Sequence, residues 1–156
     1  MLRSKHTIFG AMLLAALVAT LAAGCTGSAN AGVPSAAPAQ QARKVTVDGG
    51  SYNEVDAAGL AAMLKSKDFV LVDVHVPYAG EIESTDLFLP YDQIQANVSK
   101  LPADKGAKIV LYCVSGSMST VASRTLVGLG YTNVWNLSGG MMGWKQAGYS
   151  LLSKSQ

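Results

Sequence analysis

The sequence contains only two cysteines among 156 residues, Cys25 and Cys113. Two cysteines are too few for a disulfide-dense scaffold or for a four-cysteine metal site. Charged side chains make up only 14% of the chain and the formal net charge is +2, so no strong positive field favours nucleic-acid binding. A second hydrophobic core is also excluded, because one domain usually takes ~100–200 residues. We therefore expect one small domain that binds no nucleic acid.

The first 24 residues have the pattern of an export signal. Arg3 and Lys5 precede an apolar run over residues 8–23, which is short for a membrane-spanning helix of ~20 apolar residues. Small residues then lead to Cys25 and resemble the lipobox of bacterial lipoproteins, which implies cleavage before Cys25 and a lipid on its sulfur. The alternative is an uncleaved N-terminal anchor. In both cases we expect an exported chain, held at the outer face of the cytoplasmic membrane or in the periplasm.

The signal peptide at residues 1–24 carries the whole basic excess. Its removal takes away Arg3 and Lys5 and leaves ten basic and ten acidic side chains. Residues 25–42 are predicted to be the lipidated cysteine and a flexible tether. Beyond Cys25 this stretch has no charged or aromatic side chain and cannot bury enough apolar area to offset the cost of ordering. Residues 43–156 are predicted to form the folded domain.

Apolar runs and helical spacing alternate from residue 43 onward. The predicted strands cover residues 45–47, 69–75, 108–113 and 133–136. Four helices are predicted. One begins after the capping residue Asp56, and the others cover residues 92–101, 119–129 and 141–147. Nearly continuous apolar runs such as residues 69–75 are typical of strands buried on both faces of a parallel sheet. The alternation predicts an α/β fold with a mainly parallel central sheet flanked by helices.

Cys113 lies at the end of a predicted strand, where sites form in parallel α/β sheets. It is followed by small residues with a central glycine and then by a helix. Such a loop can curl so that backbone N–H groups point inward, and the helix adds the positive end of its dipole. These features would stabilise a thiolate on Cys113 and favour a reactive thiol. The alternative is an inert cysteine buried at the strand end.

Several motifs together resemble a single rhodanese domain, the sulfurtransferase-type fold, over residues 44 to 152. They are Val72-Asp73-Val74, Cys113-Val114-Ser115-Gly116, Leu129-Gly130-Tyr131 and Leu137-Ser138-Gly139-Gly140-Met141 with Trp144. The resemblance implies that Cys113 takes sulfur from a small donor, carries it as a persulfide and passes it to a thiol or another nucleophilic acceptor. It also implies a substrate-binding loop made of Val114, Ser115, Gly116, Ser117, Met118 and Ser119. No cofactor is expected.

The loop departs from the family pattern in its charge. Val114, Ser117 and Met118 stand where members of that family often carry basic residues. Thiosulfate is a dianion, and the loss of loop cations predicts a less anionic sulfur donor.

Two further residues are auxiliary candidates at the same edge of the sheet. His75 is the last residue of the predicted 69–75 strand and could activate the thiol in a Cys–His arrangement, or could make only a structural hydrogen bond. Asp73 is expected to fix loops by hydrogen bonds. The acidic stretch from Glu81 to Asp92 is predicted to be a solvated connection with no metal site.

A second hypothesis is a catalytically silent module for recognition or redox sensing at the cell surface, which the neutral loop favours more than a typical rhodanese sequence would. A cysteine-dependent phosphatase is rejected, because that chemistry needs an arginine six residues after the cysteine and Ser119 occupies this place.

Overall fold

The computed structural model describes residues 42–153. The predicted signal peptide, the lipidation site Cys25 and the predicted tether up to residue 41 lie outside the described residues. Between residues 42 and 153, no helix is both long and apolar enough to cross a membrane.

Six strands and three α-helices make up the described domain. The strands are β1 (Arg43–Val47), β2 (Gly50–Val55), β3 (Val70–Asp73), β4 (Leu87–Phe88), β5 (Ile109–Tyr112) and β6 (Val134–Leu137). The helices are α1 (Ala57–Leu64), α2 (Ser117–Gly128) and α3 (Gly140–Gln146). The predicted strands at 69–75, 108–113 and 133–136 are thus confirmed in place, with ends that differ by one or two residues.

The strands form one sheet in the order β1-β2-β6-β5-β3-β4. Only β1 runs antiparallel, in a hairpin with β2, while all other neighbours are parallel. All four residues of β5 are buried, as expected for a central strand covered on both faces. The predicted α/β fold with a mainly parallel sheet is therefore confirmed, and β3 and β5 end side by side, with Asp73 opposite Tyr112.

The sheet separates two groups of buried apolar side chains. The α2-side cluster contains Leu111, Val134 and, from α2, Leu126. The α1/α3-side cluster contains Leu60 from α1 and Trp144 from α3. Helices cover the central strands on both faces, which leaves the loops at the carboxyl ends of β3 and β5 as the natural place for a site.

The prediction of an α-helix over residues 92–101 is wrong. Two short 3₁₀ turns, Tyr91–Gln93 and Val98–Lys100, occupy this segment. The side-chain amide of Asn97 donates to the Gln93 carbonyl oxygen at 3.1 Å, and its backbone leaves the helical region, with φ −116° and ψ 22°. The second turn ends at Leu101, whose extended backbone is the conformation favoured for a residue that precedes a proline.

Candidate functional site

Cys113 is the residue directly after β5, and α2 begins four residues later at Ser117. The chain turns between them at Gly116, whose φ of 92° lies in the left-handed region that glycine adopts without strain. The helix was predicted from residue 119, so it starts two residues earlier and makes the loop shorter. The six residues after Cys113 therefore form a tight turn and the first turn of α2.

The sulfur of Cys113 points into this turn. It accepts hydrogen bonds from the backbone N–H of Gly116 at 3.1 Å and of Ser119 at 3.4 Å, and the Ser119 hydroxyl donates to it at 3.5 Å. Gly116 has no side chain to cap α2, so the sulfur itself satisfies an N–H of the first helical turn. The cradle of inward-facing amides that the loop composition predicted is present in the structure. Three donors and a helix N-terminus are arranged to stabilise negative charge on sulfur.

Helix α3 holds the loop from the opposite side. The N–H groups of Met141 and Met142 donate to the carbonyl oxygens of Cys113 and Val114 at 2.8 and 2.9 Å. This approach requires Gly140 at the start of α3, because a Cβ there would overlap the Cys113 carbonyl oxygen. The loop is thus held by α2 on one side and by α3 on the other.

None of residues 113–119, which form the turn around the sulfur, has a charged side chain. The hydroxyls of Ser115 and Ser117 lie 2.8 Å apart on the exposed side of the turn. Val114 and Met118 are half-buried, while Met142 of α3 is 62% exposed beside the loop. Cys113 itself is only 1% exposed. The site therefore offers hydroxyls, amides and apolar side chains, and the sulfur lies beneath them.

Asp73 and His75 occupy the neighbouring strand end. The Asp73 carboxylate accepts the backbone N–H of His75 at 3.0 Å, so it shapes the start of the loop after β3. Nδ1 of His75 is buried without a hydrogen-bond partner, and among residues 42–153 no hydrogen bond joins His75 to Cys113. The structure places both residues at the edge where Cys113 lies, but it does not form a Cys–His pair.

Asp73 has an unusual environment for a carboxylate. Its side chain is 1% exposed and its Oδ2 atom has no hydrogen-bond partner. Burial is the main cause that raises the pKa of Asp73 to about 6, with a smaller contribution from the neighbouring Glu81 carboxylate, while the hydrogen bond from the His75 N–H acts in the opposite direction. Glu81 is itself only 6% exposed and its backbone pairs with Leu152, so the expectation of a solvated connection is wrong at this residue.

No group of three His, Cys, Asp or Glu side chains within residues 42–153 is arranged to hold a metal ion.

Two contributors to the site went unnoticed in the sequence. The first is the hydroxyl contact of Ser119, which was assigned only to the loop lining. The second is the close approach of Gly140, for which a pair of consecutive glycines before a helix is a usable signal.

Comparisons with known proteins agree with the geometry. A family model described as the Rhodanese-like domain matches residues 56–147. A sulfurtransferase from Allochromatium vinosum is 34% identical over 104 residues, which is 65% of this chain and 95% of that protein. A tRNA uridine(34) hydroxylase from Erwinia tasmaniensis is 36% identical over 101 residues, and the match spans only 28% of that protein.

Solved structures show the same fold. The crystal structure of a rhodanese-related protein from Thermoplasma volcanium is 25% identical, with a TM-score of 0.56, and the match covers 65% of this chain and 98% of that one. A rhodanese-like domain protein from Staphylococcus aureus is 26% identical, with a TM-score of 0.54 and the same coverage of both chains.

Proposed function

This chain belongs to the rhodanese-like domain family, and from that membership we propose that it carries and transfers sulfur through a persulfide on Cys113. At the level of the family, the relatives support a role related to sulfur. The observation that carries the finer proposal is the position of the Cys113 sulfur, which faces two amides and a hydroxyl at the N-terminus of α2.

The transfer is a pair of exchanges at sulfur. In the first, the Cys113 thiolate attacks the terminal sulfur of a donor R–S–SH, a new S–S bond forms, and the old S–S bond breaks with its electron pair leaving on R–S⁻. The product is a persulfide on Cys113. In the second, an acceptor nucleophile attacks the terminal sulfur of that persulfide, and the electron pair returns to the Cys113 thiolate. No oxidant or reductant is consumed.

The uncharged loop bears on the choice of donor. Thiosulfate carries two negative charges, and residues 113–119 provide no cationic side chain to pair with them. Amides, hydroxyls and the apolar side chains of Val114, Met118 and Met142 suit an organic persulfide better, because its only sulfur-borne charge is a single one. We therefore propose that donors with less charge transfer sulfur to this chain faster than thiosulfate does.

The assay offers the purified protein thiosulfate and an inorganic polysulfide as dianionic donors, and an organic persulfide without carboxylates as the less charged donor, followed by intact-mass measurement and peptide mapping. We expect a gain of one sulfur atom at Cys113, largest with the persulfide. The gain should disappear in Cys113→Ser, whose hydroxyl keeps a hydrogen-bond acceptor at the start of α2. If none of the donors gave an adduct, the sulfur-carrier proposal would be rejected in favour of a catalytically silent recognition or redox-sensing module.

The location of the chain is a separate proposal. We propose that residues 1–24 are removed on export and that a lipid on Cys25 holds the domain at the membrane through a tether ending near residue 42. Cell fractionation should find the wild-type protein in the membrane fraction and the Cys25→Ser variant in the soluble fraction. Equal membrane association of both forms would reject lipidation and favour an uncleaved anchor.

A further inference from the structure

The hydroxyl of Ser119 lies between two acceptors. Its side chain is completely buried, and Oγ is 3.1 Å from the Gly116 carbonyl oxygen and 3.5 Å from the Cys113 sulfur. A serine hydroxyl has one hydrogen, so it can donate to only one of these acceptors at a time. Which of them receives the hydrogen depends on the charge of the sulfur.

A neutral thiol is a weak acceptor, and a carbonyl oxygen competes successfully against it. A thiolate reverses this order, because hydrogen bonds to an ionised acceptor are about twice as strong as neutral ones. Rotation about one side-chain bond is enough to move the hydrogen from the carbonyl to the sulfur. The hydroxyl can therefore respond to the charge on sulfur without movement of the backbone.

The remaining contacts of the sulfur cannot respond in this way. The other recorded donors are the backbone N–H groups of Gly116 and Ser119, which are fixed by the turn and do not titrate. Among the described residues, the Ser119 hydroxyl is the one side-chain donor that the structure records at this sulfur. Since the loop has no cationic side chain, the adjustable part of the stabilisation rests on this hydroxyl.

We infer that Ser119 is a positioning residue that donates its hydroxyl hydrogen to the Cys113 thiolate and returns it to the Gly116 carbonyl when the sulfur is neutral. This inference deepens the proposed function, and it rests on that function only for its role in sulfur transfer. In sulfur transfer, the Ser119 hydroxyl stabilises the Cys113 thiolate at two points. The first is before the thiolate attacks the donor, and the second is after the acceptor has taken the sulfur and the thiolate has re-formed.

Helix α2 supplies a matched control one turn later. Ser123 is also completely buried, and its hydroxyl donates to the Ser119 carbonyl oxygen at 2.8 Å, without a recorded contact to the sulfur. Ser123→Ala removes the same group from the same helix. Any general effect of losing a buried hydroxyl in α2 should therefore appear in both alanine variants, and an effect on the sulfur only in Ser119→Ala.

The test is the rate of Cys113 alkylation by iodoacetamide across a pH series, followed by peptide mapping so that Cys25 does not interfere. In Ser119→Ala we expect the profile to move to higher pH, with a rate near neutral pH that falls about three- to tenfold. Ser123→Ala should follow the wild-type profile. The inference is overturned when Ser119→Ala keeps the wild-type profile, or when Ser123→Ala moves the profile equally.

A second pair of variants keeps the test decisive where Ser119→Ala folds poorly. Ser119→Thr and Ser119→Val have the same shape and differ in the hydroxyl, so the profile of the threonine variant should lie nearer the wild type. Coincident profiles of this pair would contradict a role for the hydroxyl.

The sulfur-uptake assay separates this inference from the proposed function. A shifted alkylation profile in Ser119→Ala, together with no sulfur gain in the wild type, supports the positioning role and rejects the carrier. Sulfur gain in the wild type, together with an unshifted profile in Ser119→Ala, supports the carrier and rejects the positioning role.

Discussion

Gly140 sets the distance between helix α3 and the cysteine loop. Its φ is 56°, and a Cβ at this position would overlap the Cys113 carbonyl oxygen and approach the Val114 carbonyl oxygen to 2.8 Å. Gly140→Ala should therefore destabilise the fold by about 2–4 kcal/mol, since strain at a left-handed residue and overpacking act together. Urea unfolding measures the change.

Gly128 in α2 provides the control for this substitution. Apart from the neighbouring backbone of α2 itself, no atom lies within 4 Å of a Cβ built there, so Gly128→Ala should raise stability by about 0.5–1 kcal/mol through helix propensity. Equal effects of the two substitutions would show that the contact with the loop is unimportant.

The buried carboxyl of Asp73 makes stability depend on pH. Its folded-state pKa of about 6 lies above the unfolded value of about 3.9, so the folded chain holds a proton that the unfolded chain releases between these values. The stability contributed by this group is complete below about pH 4 and is lost as the pH rises through 6. We expect the wild type to gain about 1 kcal/mol from Asp73 on going from about pH 7 to about pH 5.

The comparison for this prediction is Asp73→Asn, which keeps an acceptor for the His75 N–H but does not titrate in this range. Urea unfolding of both proteins at the two pH values isolates the contribution of Asp73. An identical pH dependence in the two proteins would contradict the raised pKa.

Among the elements, α1 depends most visibly on a single capping residue. The Asp56 carboxylate accepts the backbone N–H of Gly59 at 2.8 Å, as the sequence predicted, and this satisfies one of the free donors of the first turn. Asp56→Ala should lower the free energy of unfolding by about 1 kcal/mol. Asp56→Asn keeps the acceptor and should remain within a few tenths of the wild type in the same chemical unfolding experiment.

Strands and helices could be predicted where burial itself sets the pattern. The apolar run around β3 identified a central strand, because few polar residues are tolerated there. The strand β2 was missed, since its sequence Gly-Ser-Tyr-Asn-Glu-Val is mostly polar and it is a strand because β1 and β6 pair with it on either side. The Asp48-Gly49 pair before it was an available hairpin signal. Residues 92–101 show the opposite case, in which the pattern favoured a helix but the backbone leaves the helical region at Asn97.

The site was predictable to the extent that it is local in sequence. A cysteine at a strand end, a glycine and a following helix were enough to predict amides around the Cys113 sulfur. The contact of Gly140 with the Cys113 carbonyl could not be predicted, because it joins segments that only the folded sheet brings together. The lack of a hydrogen bond between His75 and Cys113 could not be predicted either. Strand order places the two residues at one edge of the sheet but does not set the direction of their side chains.

The whole domain consists of two clusters that share one sheet. Leu126 lies in the α2-side cluster, whereas Trp135 and Trp144 pack on the α1/α3 side. Leu126→Ala should lower the free energy of unfolding by about 2–5 kcal/mol. Because both clusters pack against the same sheet, the unfolding midpoint should fall for both faces. Tryptophan fluorescence and far-ultraviolet circular dichroism should therefore give coincident urea transitions at the lower midpoint. A fluorescence transition left at the wild-type midpoint would show that the two faces unfold separately.

The burial of the Cys113 sulfur has a consequence for how long the thiol survives. A cysteine with 1% exposure meets dissolved peroxide only when the loop opens, and oxidation beyond the sulfenic stage is irreversible for an ordinary thiol. In the sulfur transfer proposed above, donors and acceptors would reach Cys113 through the same opening as peroxide. The frequency of that opening would then limit both the rate of sulfur transfer and the rate of thiol oxidation.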